Sequence, residues 1–200
     1  MMHLYIVFAH PSHESFTYTA LESFAKGLED AGHTFEIGDL YEMNFRTDMN
    51  PDEYLRETGL DPDAPVSEDV RIEHEKMERA DAIAFIYPVW WSDCPAKLKG
   101  WFDRVWSYGY AYCYDESGEH STRKIDIGKA LVLCPAGHTV RQLEEIGIAE
   151  SMRRLMLNDR LLGVGVKEAE MVILGGATLN DKAVRDANLE RAYELGRSFA

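Results

Sequence analysis

Short, unbroken apolar runs that alternate with amphipathic stretches decide what this chain can become. The run "LYIVFA" (4–9) has no polar face, and such a stretch belongs in a strand covered on both sides. It is followed by "SFTYTALESFAKGLEDAG" (15–32), where Phe16, Ala20, Leu21, Phe24 and Leu28 recur at helical spacing and Gly32 supplies a stop. The alternation continues, predicting further strands over 34–40, 81–88, 129–137 and 169–176. Helices are predicted over 67–80 with Ser67 as N-cap, 95–106 with Pro95 in the first turn, 139–157 and 181–199. Parallel strands require crossovers, and right-handed crossovers cover both sheet faces. The expected fold is therefore α/β, a doubly wound five-stranded parallel sheet in a three-layer sandwich. The main irregular stretch is an excursion over 41–69. Segments of that length tend to serve function or an interface, although a solvated surface loop accounts for it equally well.

At 200 residues the chain suits a single domain over 1–200. The formal net charge of −14 argues against nucleic acid and against docking on an anionic membrane, since both need an excess of Lys and Arg. No run approaches the ~18–20 apolar residues of a membrane span, so no membrane insertion is expected. The stretch "MMHLYIVFAHP" lacks a basic start and a small-residue cleavage site, which makes cytoplasm the expected location. Cys94, Cys113 and Cys134 are odd in number and form no CxxC pair. Reduced, mostly packed thiols are expected, with no disulfide framework and no metal site.

Ligands of open parallel sheets bind outside the carboxyl ends of the strands. After the first strand comes "AHPSHESFTYTA" (9–20), which contains neither GxGxxG nor a Walker loop. It offers Ser12, Ser15 and Thr17 at a helix start with His10 and His13 close by, a combination suited to an anion such as phosphate; plain N-capping by Ser15 explains it as well. After the third strand comes "YPVWWSDCPAKLKGWFDRVW" (87–106), which holds every tryptophan of the chain. Pro88 and Val89 are expected to bring main-chain amides to the sheet edge. Of Trp90 and Trp91, one is expected to pack inward and one to face a planar ligand such as a flavin; core and interface packing is the plainer account. After the fourth strand comes "CPAGHT" (134–139), where Gly137 allows close approach of a ligand and His138 offers a donor, or is simply solvated. Three loops at one edge, each suited to a phosphorylated planar ligand, carry more weight jointly than singly.

Together "AHPSHESFTYTA", "YPVWWSDCPAKLKGWFDRVW" and "YGYAYCYD" resemble the flavodoxin-like NAD(P)H:quinone oxidoreductases, the group that includes potassium-efflux ancillary reductases and drug-activity-modulator quinone reductases. The resemblance covers nearly the whole chain and implies a flavodoxin-like sandwich. It matches His10, Ser15, Phe16 and Thr17 to flavin phosphate contacts, and Pro88, Val89 and Trp91 to the segment along the isoalloxazine, with Trp90 and Ser92 adjoining. Pro135, Ala136 and Gly137 stand in a loop that reads Thr-Thr-Gly-Gly in the family, so two hydroxyls and one amide donor are lost here. Tyr112 and Tyr114 match tyrosines that line the nicotinamide and quinone pocket across a homodimer interface. No Tyr/His pair carries over in "HTVRQLEEIGIAE" (138–150), so either catalysis rests on the flavin's geometry alone or His138 acts from a different position.

The resemblance implies a flavin oxidoreductase that passes hydride from NAD(P)H to a quinone or similar two-electron acceptor in a ping-pong cycle. Either FAD or FMN fits, and the Ser15-Phe16-Thr17 match favours FAD. A flavodoxin-type electron carrier, a regulatory subunit of a potassium-efflux transporter, and an azo- or nitroreductase are the alternatives.

Overall fold

The computed structural model describes residues 1–115, 117–118, 121–179 and 181–199. Five parallel strands form one sheet: β1 (His3–Phe8), β2 (Thr34–Asp39), β3 (Ala82–Ile86), β6 (Lys129–Pro135) and β7 (Glu168–Leu174), in the order β2-β1-β3-β6-β7. The chain steps to one side from β1 to β2 and then crosses back to β3, which places the topological switch point between β1 and β3. In register, Leu4–Phe8 of β1 pair with Ala82–Ile86 of β3, whose residues pair in turn with Lys129–Leu133 of β6. The carboxyl ends of these three strands are therefore level.

Alternation along each strand divides the core in two. Tyr5 and Val7 of β1, Ile83 and Phe85 of β3 and Val132 and Cys134 of β6 face one side, where they meet Leu98, Trp101, Phe102 and Val105 of α4 (Ala96–Val105). Leu4, Ile6, Phe8, Ala84, Ile86, Leu131 and Leu133 face the other, against α1 (Phe16–Asp30) and α7 (Lys182–Arg197). Helices α1 and α7 cross with almost nothing between them. A Cβ on Gly27 would lie 2.1 Å from the Tyr193 carbonyl oxygen, and one on Gly196 would lie 2.1 Å from the Phe24 carbonyl oxygen, so glycine is required at both. No helix among the described residues is long and apolar enough to cross a membrane.

The structure corrects the sequence expectations at three places. The excursion at 41–69 is not irregular throughout: it holds α2 (Pro51–Gly59), started by a capping box between Asn50 and Glu53 with Pro51 in the first turn. Ser67 precedes α3 (Glu68–Glu78) but makes no side-chain cap. Its hydroxyl instead donates to Glu53 (2.8 Å) and accepts from Arg104 (2.9 Å). The predicted helix over 139–157 is broken at Gly147, whose φ of +76° ends α5 (Val140–Glu145) and starts α6 (Ile148–Arg153). A π-helical segment, Arg154–Leu161, continues α6 and ends in a short 3₁₀ turn. An antiparallel ribbon of β4 (Tyr112–Tyr114) and β5 (Ser121–Arg123) lies outside the main sheet.

Arg104 ties the excursion to the core. Its buried guanidinium donates to both oxygens of Asp69 (2.6 and 2.7 Å), to Glu53 (2.7 and 3.1 Å) and to the Arg46 carbonyl (2.6 Å), and it lies over the Phe45 ring. Burial would raise the Glu53 carboxyl, but the bonds from Arg104 and Arg46 dominate and hold it far below the ordinary carboxylate range.

Candidate active site

The three loops that leave β1, β3 and β6 form one continuous edge. The Ala9 amide donates to the Ile86 carbonyl (3.1 Å), which joins the first loop to the second, and the Val89 amide donates to the Pro135 carbonyl (2.8 Å), which joins the second to the third. His10 packs against Trp90, with ring centroids 5.9 Å apart.

At the first loop, Ser15 caps α1 by accepting from the Tyr18 amide (3.1 Å), so its hydroxyl serves its own helix. The Phe16 and Thr17 amides, first in α1, have no intrahelical acceptor. Thr17 is buried, so what it offers outward is its backbone. His10 Nδ1 lies 3.0 Å from both the amide and the carbonyl of Ser12, so Ser12 holds the ring in either tautomer. Burial lowers the His10 pKa, outweighing Ser12 and Asp39, which act the other way. Arg185 lies over the Phe16 ring, 4.7 Å from its centroid. His13 turns away toward β2: its Nε2 meets Asp39 at 2.6 Å and its ring stacks on Tyr18. A groove of about 490 Å³ between them is lined by His10, Pro11, His13, Tyr41 and Glu42.

The second loop departs most from expectation. Pro88 is buried and has no amide, and the Val89 amide is already used by Pro135. The available donors sit further along. Trp90 and Asp93 exchange two backbone hydrogen bonds (3.0 and 3.2 Å), and Trp91 and Ser92 between them have φ of +50° and +66°. This is a tight turn of the type that matches strand twist, normally built from Asn and Gly. Each non-glycine residue held there costs on the order of 1–3 kcal/mol. Neither indole enters the core: Trp90 is 41% exposed and Trp91 100% exposed. Their direction is set by the turn rather than by a strand or helix face, which overturns the expected inward partner. The amides of Trp91 and Ser92, at the turn's corners, take no part in its two hydrogen bonds.

Asp93 is the turn's anchor. Its Oδ1 accepts from the Cys94 amide (2.7 Å), and Arg160 of the π-helical segment donates to both its oxygens (2.9 Å each). Arg160 also lies over Phe102 and near Cys94 Sγ (3.5 Å), and its carbonyl accepts from the Trp106 indole (2.7 Å). Sequence reasoning missed this clamp. The two residues are 67 positions apart, and only the fold joins them.

At the third loop, Pro135 and Ala136 are buried. The Ala136 amide donates to the Leu174 carbonyl (3.0 Å), and the Gly137 carbonyl accepts from Thr178 (3.0 Å). Gly137 is half-buried and His138 exposed. Cys134 and Cys94 are buried thiols, each pushed up to about 12 by burial, and all three cysteines are free.

Tyr112 and Tyr114 lie elsewhere. With Tyr108 they form an aromatic cluster (centroids 5.5–6.0 Å apart) beside α2, where Arg56 donates to the Tyr108 carbonyl and Glu57 accepts from its amide. Helix α4 has carried the chain from the carboxyl edge toward the amino edge: the Lys124 amide donates to the Ala111 carbonyl, just before the chain re-enters the sheet at Lys129. Within one chain these tyrosines do not join His10, Trp90 and Gly137.

A flat phosphorylated ring fits the donor set at the edge. Two helix-start amides and a neighbouring guanidinium suit its anion, and two exposed indoles suit its face. Asp93, the carboxylate of the second loop, is matched by Arg160.

Strand order and switch point define a flavodoxin-like sandwich with its ligand edge at β1, β3 and β6. A family model described as flavodoxin-like fold matches residues 2–195. An NAD(P)H:quinone oxidoreductase from Methanothermobacter marburgensis is 60% identical and superposes with a TM-score of 0.95 over 100% of this chain and 99% of that one. An uncharacterized NAD(P)H oxidoreductase from Haemophilus influenzae is 33% identical over 196 residues, 97% of this chain and 93% of the relative. An FMN-dependent NADH-azoreductase from Bacillus anthracis, in complex with FMN, shares the fold at 18% identity and a TM-score of 0.71, with all of both chains covered. The chain belongs to the flavodoxin-like family, among its NAD(P)H oxidoreductases of quinone-reductase type.

Proposed function

We propose that the chain binds a flavin at this edge and uses it to reduce quinones or related two-electron acceptors at the expense of NAD(P)H. The observation that carries the reading is the continuity of the three loops, with unpaired helix-start amides at one end and exposed indoles in the middle. The Phe16 and Thr17 amides hold the phosphate, with Ser12 and Arg185 beside them. Trp90 and Trp91 provide a flat wall. The amides of Trp91, Ser92, Gly137 and His138 face the polar rim of the ring, and His10 stands beside it. A flavin held here by these residues would supply two-electron hydride chemistry between NAD(P)H and an acceptor that follows in the same place. The chain's part is to orient the rings and exclude water, since hydride moves only between atoms about 3–3.5 Å apart. Reducing a quinone also takes a proton, and His138 is the titratable side chain at the third loop.

FAD is the expected flavin, because Arg185 adds a cation beside the helix-start amides and so suits a diphosphate. Tyr112 and Tyr114 complete the pocket of a second copy in a homodimer. Their remoteness from this chain's own edge supports that arrangement, as do Tyr54 and Leu55, exposed on α2. Reconstitution with FAD or FMN, followed by menadione-dependent oxidation of NADH and NADPH, tests the reading. Mass identification of the released flavin tests the choice of FAD. A chain that stays colourless and oxidises neither nicotinamide overturns the proposal.

A further inference from the structure

We propose that Arg160 is a positioning residue: by forking onto Asp93 it holds the Trp90–Asp93 turn in the conformation that presents Trp91 at the ligand edge. The inference rests on the proposed flavin reading, and concerns a residue that touches none of the reacting groups.

The turn is a poor candidate to hold itself. Both central residues have left-handed backbone, and neither is glycine or asparagine. One of them carries the bulkiest side chain, wholly in solvent, so no packing of the indole compensates. Local hydrogen bonds amount to the Trp90–Asp93 pair and the Asp93–Cys94 contact. What remains is the end-on guanidinium–carboxylate pair, Nη1 to Oδ1 and Nη2 to Oδ2, with both bonds at 2.9 Å. Such pairs fix orientation as well as distance.

Arg160 is itself immobilised. Its backbone carbonyl is gripped by the Trp106 indole, its guanidinium plane lies over Phe102, and its side chain is about nine-tenths buried. Phe102 belongs to the core on the α4 side of the sheet, and Trp106 packs against that core. The clamp therefore refers the turn to the core rather than to another loop. The segment that supplies Arg160 is π-helical, a form that recurs at functional sites. A second effect is electrostatic. Asp93 is held below the ordinary carboxylate range: burial would raise it, but the Arg160 bonds prevail. The edge thus presents a neutralised carboxylate to an anionic ligand.

Three variants of the full chain test this: Arg160→Gln, Arg160→Lys and Asp93→Asn. The first readout is hydrogen exchange of the amides over 87–95, without added flavin. Arg160→Gln and Asp93→Asn should each speed it about tenfold, leaving β1 and β6 unchanged. The second readout is flavin affinity by fluorescence titration, in a cycle with Trp91→Ala. If the clamp acts through the indole, Arg160→Gln weakens binding about tenfold in the wild-type background and little in the Trp91→Ala background. A merely structural arginine would cost the same in both. Arg160→Lys should recover less than half the loss, because an ammonium cannot fork. Should Arg160→Gln fail to fold, Asp93→Asn releases the same clamp from its exposed side. Unchanged exchange over 87–95 in Asp93→Asn overturns the proposal, and so does an equal loss of affinity in both backgrounds. Wild-type protein that binds neither flavin sinks the functional reading but leaves the exchange result to judge the clamp.

Discussion

Residues 87–106 hold two pairs of tryptophans that the molecule uses in opposite ways. Trp101 and Trp106, on and just after α4, turn inward, and each N–H is paired: Trp101 with buried Glu73 (2.7 Å), Trp106 with the Arg160 carbonyl (2.7 Å). Trp90 and Trp91 stand outside on a turn. The composition is the same, but the backbone differs. A helix with apolar residues at 98, 101, 102 and 105 directs an indole at 101 into the sheet, whereas a two-residue turn directs its corners away from everything. The inner pair bears on stability, and the outer pair bears on binding.

The largest expected effect comes from breaking the inner pair. Trp101→Ala should cost about 3–5 kcal/mol, because it opens a cavity and strips buried Glu73 of a donor, as urea unfolding would show. Arg104→Met should cost about 3 kcal/mol by leaving Glu53 and Asp69 without their shared cation. Both carboxyls are depressed in the folded state. Their stabilisation is therefore complete above the unfolded carboxylate value of about 4.3 and lost as pH falls below it. Unfolding free energy should fall progressively as pH drops below about 4.3 in the wild type, and less steeply in Arg104→Met. Trp91→Ala reverses the pattern: stability should change by no more than about 0.5 kcal/mol, while flavin affinity drops about tenfold by titration. Ser15→Ala should lower stability by only about 1 kcal/mol, since the hydroxyl caps its own helix, and a larger loss of flavin than of stability would reassign it to the ligand.

The sheet was legible because its central strands are apolar on both faces, and a run such as 4–9 permits few other fates. Loop neighbourhood followed from topology alone: strands adjacent at the switch point must place their exits side by side. Helix α2 was legible in principle, since Asn50-Pro51 followed by Glu53 is a helix-start signal; the surrounding polar residues masked it, and α2 buries none of its own. The ribbon at 112–114 and 121–123 is too short to impose a period. Positive φ at Trp91 and Ser92 was not legible, because neither residue favours it; the distant Arg160 does.

The glycine contact between α1 and α7 makes the two sides of the ligand edge mechanically unequal. With carbonyl oxygens seated where side chains would be, α1 cannot slide along α7 by part of a helical pitch without collision. Its amino end, where the phosphate is proposed to rest, is a fixed jaw. The indole-bearing turn opposite has no such backbone contact and is tied down by a side-chain pair, that of Asp93 with Arg160.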